Sequence, residues 1–93
     1  MLRPAELSGP APIMVWIHGG GLQAGSGVDA YYNSTYLAKD GAQIVINISY
    51  RLGILGFVNG FDEEEGRPIG GNYGLMDQQE ALRFIHQNAE ESF

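Results

Sequence analysis

Two apolar runs stand out in the first half of the chain. They are Ile13-Met14-Val15-Trp16-Ile17 and, with one polar residue inside it, Ile44-Val45-Ile46-Asn47-Ile48. Neither run alternates apolar with polar positions, and a continuous run is typical of a strand that is buried on both faces of a parallel sheet. We therefore predict two parallel strands, each covered on both sides.

The segment between the two runs has a helical pattern. Residues 31–40 predict a short helix, and Gly41 is placed to end it as the C-cap. A strand, a helix and a second parallel strand form a βαβ unit, whose crossover we expect to be right-handed. The first half of the chain thus indicates an α/β fold.

The second half of the chain divides into a glycine-rich stretch and a long periodic segment. Residues 53–72 hold repeated glycines, an acidic run at 62–65 and a proline, so we expect a surface loop there. In residues 75–91 the apolar positions 75, 82, 85 and 89, with 81 and 84 beside them, fall on one helical face, and Asn72 is placed as the N-cap. We therefore expect a C-terminal amphipathic helix.

Composition narrows the possible functions. The chain has 93 residues, of which 44% are hydrophobic, so it holds one small domain at most. A formal net charge of -6 argues against a nucleic acid or an anionic membrane as partner. The absence of cysteine excludes a disulfide framework and a thiolate metal site, and no run approaches the ~20 apolar residues of a membrane span. Residues 1–10 also lack the apolar core of a signal peptide.

The candidate chemistry lies where the first strand ends. There Val15-Trp16-Ile17-His18-Gly19-Gly20-Gly21-Leu22 leads from an apolar strand into three consecutive glycines. Glycines allow bare backbone N–H groups to face outward, and fixed N–H donors stabilise the negative oxygen that develops when an ester carbonyl is attacked. A run of this type is the oxyanion element of lipases and esterases, so we predict that Gly20 and Gly21 supply such N–H groups.

A dinucleotide site is the competing interpretation of the same glycines. Gly19-Gly20-Gly21-Leu22-Gln23-Ala24 fits the G-x-G-x-x-A fingerprint after a strand. That fingerprint requires a helix directly after it and an acidic residue at the end of the next strand. Here Gly25-Ser26-Gly27 interrupts any helix, and no carboxylate follows the second run closely, which makes this the weaker hypothesis.

The remaining candidate residues do not form a catalytic set. No serine lies in a G-x-S-x-G nucleophile elbow. The chain order Ser26, Asp77, His86 is no argument for a triad, because Ser26 lies in a Gly-Ser-Gly loop rather than an elbow. We expect His18 to order the glycine loop by hydrogen bonding. The acidic residues 62–65 lack the spacing of a calcium loop, so we predict no metal and no cofactor.

Four motifs, in register along nearly the whole chain, resemble the type-B carboxylesterase and cholinesterase family of α/β-hydrolases. They are Met14-Val15-Trp16-Ile17-His18-Gly19-Gly20-Gly21, Asn47-Ile48-Ser49-Tyr50-Arg51-Leu52-Gly53, Leu55-Gly56-Phe57 and Gly71-Asn72-Tyr73-Gly74-Leu75-Met76-Asp77-Gln78-Gln79. Within these motifs we expect Arg51 and Asp77 to form ion pairs that serve structure.

The resemblance implies a partial α/β-hydrolase, with residues 1–93 an incomplete domain that stops before the nucleophile elbow. The implied activity is hydrolysis of a small-molecule carboxylic ester through an acyl-enzyme, with nucleophile, acid and base beyond Phe93. Gly20 and Gly21 would supply the oxyanion donors. We further predict that the isolated 93-residue piece is inactive and poorly folded, because its two strands would expose both faces and unpaired edges.

Some expectations stay open at the level of sequence. The same scaffold occurs in neuroligin-like adhesion proteins that have lost catalysis, although the intact glycine run favours an enzyme. Gln23 replaces the aromatic residue typical of cholinesterases, which weakens a choline-ester assignment. The Asn33-Ser34-Thr35 sequon favours a secretory route, whereas the sequon at Asn47 falls in a predicted strand. The oligomeric state has no signature in the sequence.

Overall fold

The computed structural model describes residues 1–30 and 33–90. These residues form a small α/β arrangement of strands and helices. In chain order the elements are β1 (Ile13–Ile17), α1 (Thr35–Asp40), β2 (Ile44–Ile48), α2 (Gly53–Phe57), β3 (Asn59–Asp62), β4 (Arg67–Gly70) and α3 (Tyr73–Asn88).

The two predicted strands pair in parallel. Their register runs from Ile13 opposite Ile44 to Ile17 opposite Ile48. Val45 exchanges two backbone hydrogen bonds with Leu2, at 2.8 and 2.9 Å, in an isolated antiparallel bridge. Since one strand residue directs its N–H and C=O to the same side, Val45 bonds away from β1. β2 is therefore the inner strand of this small sheet.

The two strands differ in how far their side chains are buried. Ile44, Val45 and Ile48 of β2 are buried, together with Ala38 of α1, which packs on β2. In β1, Trp16 and Ile17 are 39% and 41% exposed. The prediction that both strands are covered on both faces is therefore wrong for β1, because α1 packs on β2 and no described helix packs to that extent on β1.

The first helix is shorter than its pattern predicts. α1 begins at Thr35, and the predicted positions Tyr31 and Tyr32 lie outside the described residues. Gly41 is the C-cap as predicted, and its N–H donates to the Leu37 carbonyl. Its φ of -86° is right-handed, so the cap does not use the left-handed conformation that glycine permits.

The predicted surface loop at 53–72 is wrong, since α2 and a β-hairpin of β3 and β4 occupy most of it. The hairpin runs in antiparallel register from Asn59 opposite Gly70 to Asp62 opposite Arg67. Asp62 nucleates its turn, because one carboxylate oxygen accepts the N–H groups of Glu64 and Glu65 at 3.0 Å each. The acidic run that suggested an open loop is thus the turn of a hairpin.

The long C-terminal helix is present, but two details differ from the prediction. Asn72 is the N-cap residue, yet with φ 55° it is left-handed and its side chain makes no capping bond. Capping by a side chain requires an extended N-cap backbone, which explains the failure. On the predicted apolar face Ile85 is buried, whereas Leu82 and Phe84 are 45% and 59% exposed, because no described element covers them. The predicted last residue, Glu91, lies outside the described range.

No helix among residues 1–30 and 33–90 is long and apolar enough to pass through a membrane.

Candidate functional site

The glycine loop, defined here as residues 18–27, follows β1 and turns back on itself. The Gly20 carbonyl accepts hydrogen bonds from the N–H groups of Gln23 and Ala24, both at 3.1 Å. The Leu22 carbonyl accepts the N–H of Gly53 at 2.7 Å, which ties the loop to the start of α2. The loop is therefore held by backbone contacts within itself and to the segment after β2.

His18 begins the loop and is 2% exposed. Its Nδ1 lies 2.9 Å from the Gly19 carbonyl oxygen. A carbonyl oxygen can only accept, so this contact assigns the proton to Nδ1. The buried Nε2 has no hydrogen-bond partner among the described residues. His18 thus holds the loop, as expected from the sequence, and is not placed as a catalytic base.

Tyr50, just after β2, contacts His18 in two ways. Its hydroxyl donates to the His18 carbonyl at 2.7 Å. Its ring stacks on the imidazole, with the centroids 4.5 Å apart and the planes 16° from parallel. This partner of His18 is not predictable from sequence, because a tyrosine at a strand end carries no local signal of what lies against it.

Gly20 and Gly21 lie at the exposed tip of the loop. Within the described part of the chain, neither of their N–H groups donates a hydrogen bond. The two residues have φ angles of 127° and 62°, and Leu22 beside them has 62°. Side chains disfavour this left-handed region, which explains glycine at the first two positions and marks Leu22 as strained.

The loop backbone passes so close to itself at Gly20 and Gly25 that neither position has room for a side chain. A Cβ on Gly20 would overlap the Ala24 carbonyl oxygen. A Cβ on Gly25 would lie 2.5 Å from His18 Nδ1 and 2.6 Å from the Gly19 oxygen. The backbone of Gly25 therefore packs directly against the imidazole. This close approach is a second reason for glycine in the loop, and the sequence alone does not predict it.

The serines, acids and histidines of the described chain form no triad. Ser26 Oγ accepts the Val28 N–H at 3.3 Å, and Ser49 Oγ accepts the Gly27 N–H at 3.0 Å, so both serve the loop backbone. Both carboxylate oxygens of Asp77 bind Arg51, at 2.8 Å from Nε and 2.7 Å from Nη2. Among residues 1–30 and 33–90, no three potential metal ligands cluster.

The Arg51–Asp77 contact is a structural ion pair, as predicted. The guanidinium hydrogen bonds lower the pKa of Asp77 from 3.8 to about 2, with a further contribution from the Arg51 backbone N–H at 2.9 Å. The same bonds raise the pKa of Arg51 above its ordinary value. Arg51 also lies 5.1 Å above the centroid of the Tyr73 ring. This cluster joins the segment after β2 to α3, directly beside Tyr50, which contacts His18 of the glycine loop.

The geometry after β1 does not suit a dinucleotide. Turns occupy residues 21–23, separated by three residues from the end of β1, and the next named helix, α1, begins only at Thr35. A pyrophosphate site requires a helix N-terminus immediately at the glycines. The structure therefore disfavours a dinucleotide site, because no helix begins at the glycines to bind a pyrophosphate.

Asn33 of the predicted sequon is exposed, and its Oδ1 accepts from Thr35 N at 3.1 Å and Thr35 Oγ1 at 2.5 Å. Asn47 of the other sequon lies in β2, where its Oδ1 accepts from Ser34 Oγ at 3.2 Å. Glycosylation at Asn33 stays a prediction.

Comparison with known proteins identifies the family. The carboxylesterase family model matches residues 2–92. The chain is 48% identical over 80 residues to phenmedipham hydrolase of Pseudarthrobacter oxydans, covering 86% of this chain and 15% of that protein. It is 45% identical over 78 residues to acetylcholinesterase of Myxine glutinosa, covering 84% and 22% respectively.

A third relative, neuroligin-3 of Homo sapiens, is 43% identical over 81 residues, covering 87% of this chain and 9% of that protein. The chain thus spans between 9% and 22% of the length of these three relatives. The match of the family model along nearly all of the sequence is decisive, and the chain belongs to the carboxylesterase family.

Proposed function

We propose that residues 1–93 are a segment of a longer serine esterase and that its glycine loop supplies two oxyanion donors, the N–H groups of Gly20 and Gly21. One observation carries the proposal. Each of these N–H groups belongs to a peptide unit whose carbonyl is fixed inside the loop, while the N–H itself has no partner in the described chain.

The geometry of the peptide unit fixes the direction in which each of these N–H groups points. No peptide bond described here is cis, and in a planar trans unit the C=O and the next N–H point in opposite directions. His18 Nδ1 holds the Gly19 carbonyl, so the N–H of Gly20 is aimed away from His18. The N–H groups of Gln23 and Ala24 hold the Gly20 carbonyl, which aims the N–H of Gly21 in the same manner.

Two fixed donors of this kind suit acyl transfer. A serine Oγ adds to the ester carbonyl carbon, a base takes its proton, and the carbonyl oxygen becomes negatively charged. Hydrogen bonds from Gly20 and Gly21 stabilise that charge before the C–O bond to the alcohol breaks and the protonated alcohol leaves. Water then releases the carboxylic acid from the acyl-enzyme by the same path. The serine, acid and base of this proposal lie beyond residue 93.

The proposed substrate is a small-molecule carboxylic ester. Related proteins named as a phenmedipham hydrolase and a fumonisin B1 esterase support ester or related hydrolysis as the reaction class. The glycine loop binds the reacting carbonyl, which all esters share, so it carries no preference for one acyl or alcohol group.

An adhesion protein on the same scaffold is the second candidate. Neuroligin-3 matches this chain at 43% identity, which lies between the 39% of the fumonisin B1 esterase of Sphingopyxis macrogoltabida and the 48% of phenmedipham hydrolase. Identity over this segment therefore does not separate the two. The Gly20 and Gly21 N–H groups have no partner among residues 1–30 and 33–90, and this favours the enzyme, because an adhesion surface has no use for a preformed oxyanion site.

Turnover of a p-nitrophenyl ester by the full-length protein tests the proposal, with Gly20→Ala as the critical variant. Its Cβ would displace the Ala24 carbonyl and redirect the neighbouring N–H groups. Loss of an oxyanion donor lowers kcat by roughly 10²–10³-fold. Gly66→Ala is the matched control, because Gly66 has φ 63° and open space around its Cβ in the hairpin turn.

The outcomes distinguish the hypotheses. We expect Gly20→Ala to lose kcat and Gly66→Ala to keep it, with each variant's melting temperature measured alongside. A Gly20→Ala enzyme of full kcat contradicts the oxyanion assignment. A full-length protein without ester turnover supports the adhesion candidate.

A further inference from the structure

We infer that Tyr50 is a positioning residue of the oxyanion loop, acting on the Gly20 N–H through His18; this inference rests on the function proposed above. Tyr50 touches no oxyanion donor itself. Its influence would pass through the imidazole and the first peptide units of the glycine loop.

The first step is the grip of Tyr50 on His18. The hydroxyl donates to the His18 carbonyl at 2.7 Å, and the phenol ring stacks on the imidazole at 4.5 Å. One contact fixes the backbone of His18 and the other fixes its ring plane. The Gly25 backbone also packs close to the imidazole, since a Cβ on Gly25 would lie 2.5 Å from Nδ1.

The second step is the grip of His18 on the loop. With the ring plane fixed, Nδ1 reaches the Gly19 carbonyl at 2.9 Å. That carbonyl and the Gly20 N–H belong to one rigid peptide unit. A rotation of the imidazole would release the carbonyl and let this unit turn, and the Gly20 N–H would lose its direction.

Position in the chain makes Tyr50 suited to this task. It follows β2, whose residues are hydrogen-bonded to β1 in register up to Ile48. The next residue, Arg51, is fixed to α3 through Asp77. Tyr50 is therefore anchored on both sides, whereas the tip of the glycine loop is exposed. The segment around Tyr50, fixed by β2 and by the Arg51–Asp77 pair, therefore holds the glycine loop in place through the contact between Tyr50 and His18.

The test uses the full-length protein with Tyr50→Phe, which keeps the stacked ring and removes only the hydroxyl. Tyr36→Phe is the matched control, because Tyr36 is 78% exposed on α1. Active sites are titrated, and kcat and KM for a p-nitrophenyl ester are measured per active site. The affinity for a trifluoromethyl ketone is measured as well, since its adduct with serine places an oxyanion in the proposed site.

We expect Tyr50→Phe to lower kcat and the ketone affinity together by about 10-fold, the order of one lost hydrogen bond, with KM nearly unchanged. Tyr36→Phe should leave both values as in the parent. A residue that only stabilises the fold would lower the melting temperature or the fraction of active sites without moving kcat per site.

His18→Phe is the second variant, in case Tyr50→Phe folds poorly. It keeps an aromatic ring against Tyr50 and removes the Nδ1 donor, so it should show the same joint loss of kcat and ketone affinity. The double variant should lose less than the product of the two single losses, because both act on one peptide unit.

Equal kcat and ketone affinity in Tyr50→Phe and the parent would overturn the inference while leaving the esterase proposal intact. Losses that multiply independently in the double variant would also contradict it. A parent protein with no ester turnover would overturn the proposed function, and this inference with it.

Discussion

Arg51 and Asp77 form a two-point ion pair that joins the segment after β2 to α3. Nε and Nη2 of Arg51 donate to the two carboxylate oxygens at 2.8 and 2.7 Å, and the Arg51 N–H adds a third bond at 2.9 Å. Charge-assisted bonds in this fork geometry are stronger than single contacts. The pair therefore fixes Arg51, the residue that follows Tyr50. Removing the pair should lower the free energy of unfolding by a measurable amount.

The first prediction concerns the pH dependence of this pair. The pKa of Asp77 falls from 3.8 to about 2 on folding, so its contribution to stability is fully present well above pH 3.8 and is lost as the pH falls through about 2. Urea unfolding of the full-length protein and of Asp77→Asn should differ most near neutral pH. That difference should shrink between pH 3.8 and 2.

Glu80→Gln is the control for that experiment. Glu80 pairs with Arg83 at 2.9 Å on the same helix, but both side chains are mostly exposed, at 72% and 58%. An exposed pair of this kind contributes little to stability. A difference for Asp77→Asn that matches Glu80→Gln, or that does not change on acidification, would contradict the assigned strength of the Arg51–Asp77 pair.

The second prediction concerns Gly74, which lies buried in the first turn of α3. A Cβ there would overlap the Arg51 carbonyl oxygen and approach the Phe57 ring to 2.6 Å. Glycine to alanine normally stabilises a helix by roughly 0.5–1 kcal/mol. Here we expect Gly74→Ala to destabilise the protein by about 1–3 kcal/mol, the cost of overpacking.

Denaturant unfolding measures this effect, with Gln79→Ala as the control on the exposed side of the same helix. The control should change stability by no more than about 0.5 kcal/mol. A neutral or stabilising Gly74→Ala would show that α2 and α3 are not packed as closely as described.

The third prediction concerns the 93-residue chain expressed alone. Its Cα radius of gyration is 16.9 Å, whereas a compact domain of this length has roughly 12 Å. Large apolar side chains such as Leu75, Phe84 and Ile54 are more than half exposed. We expect no cooperative thermal transition by circular dichroism and no ester turnover. A sharp melt together with turnover that a serine-directed inhibitor abolishes would refute this.

Elements that follow from a local residue pattern were predictable from the sequence. Elements and caps that depend on backbone conformation or on contacts with distant residues were not. β1, β2 and the Gly41 cap follow from apolar runs and from a single residue at a helix end. The hairpin of β3 and β4 was missed because its strands are short and exposed, so they carry no apolar pattern. The Asn72 cap was predicted from residue type alone, which does not fix the backbone conformation that capping requires.

The sequence by itself determined the two parallel strands, the short helix between them, the long C-terminal helix, the family and the three glycines after β1, because each is marked by residues close together in the chain. Only the tertiary structure decided which way the Gly20 N–H points. In the structure the Gly19 carbonyl is bonded to His18, which contacts Tyr50 from 32 residues away, and Arg51 beside Tyr50 is bonded to Asp77 from 26 residues away. Contacts across such separations are set by how strands and helices pack, and local sequence patterns do not encode them.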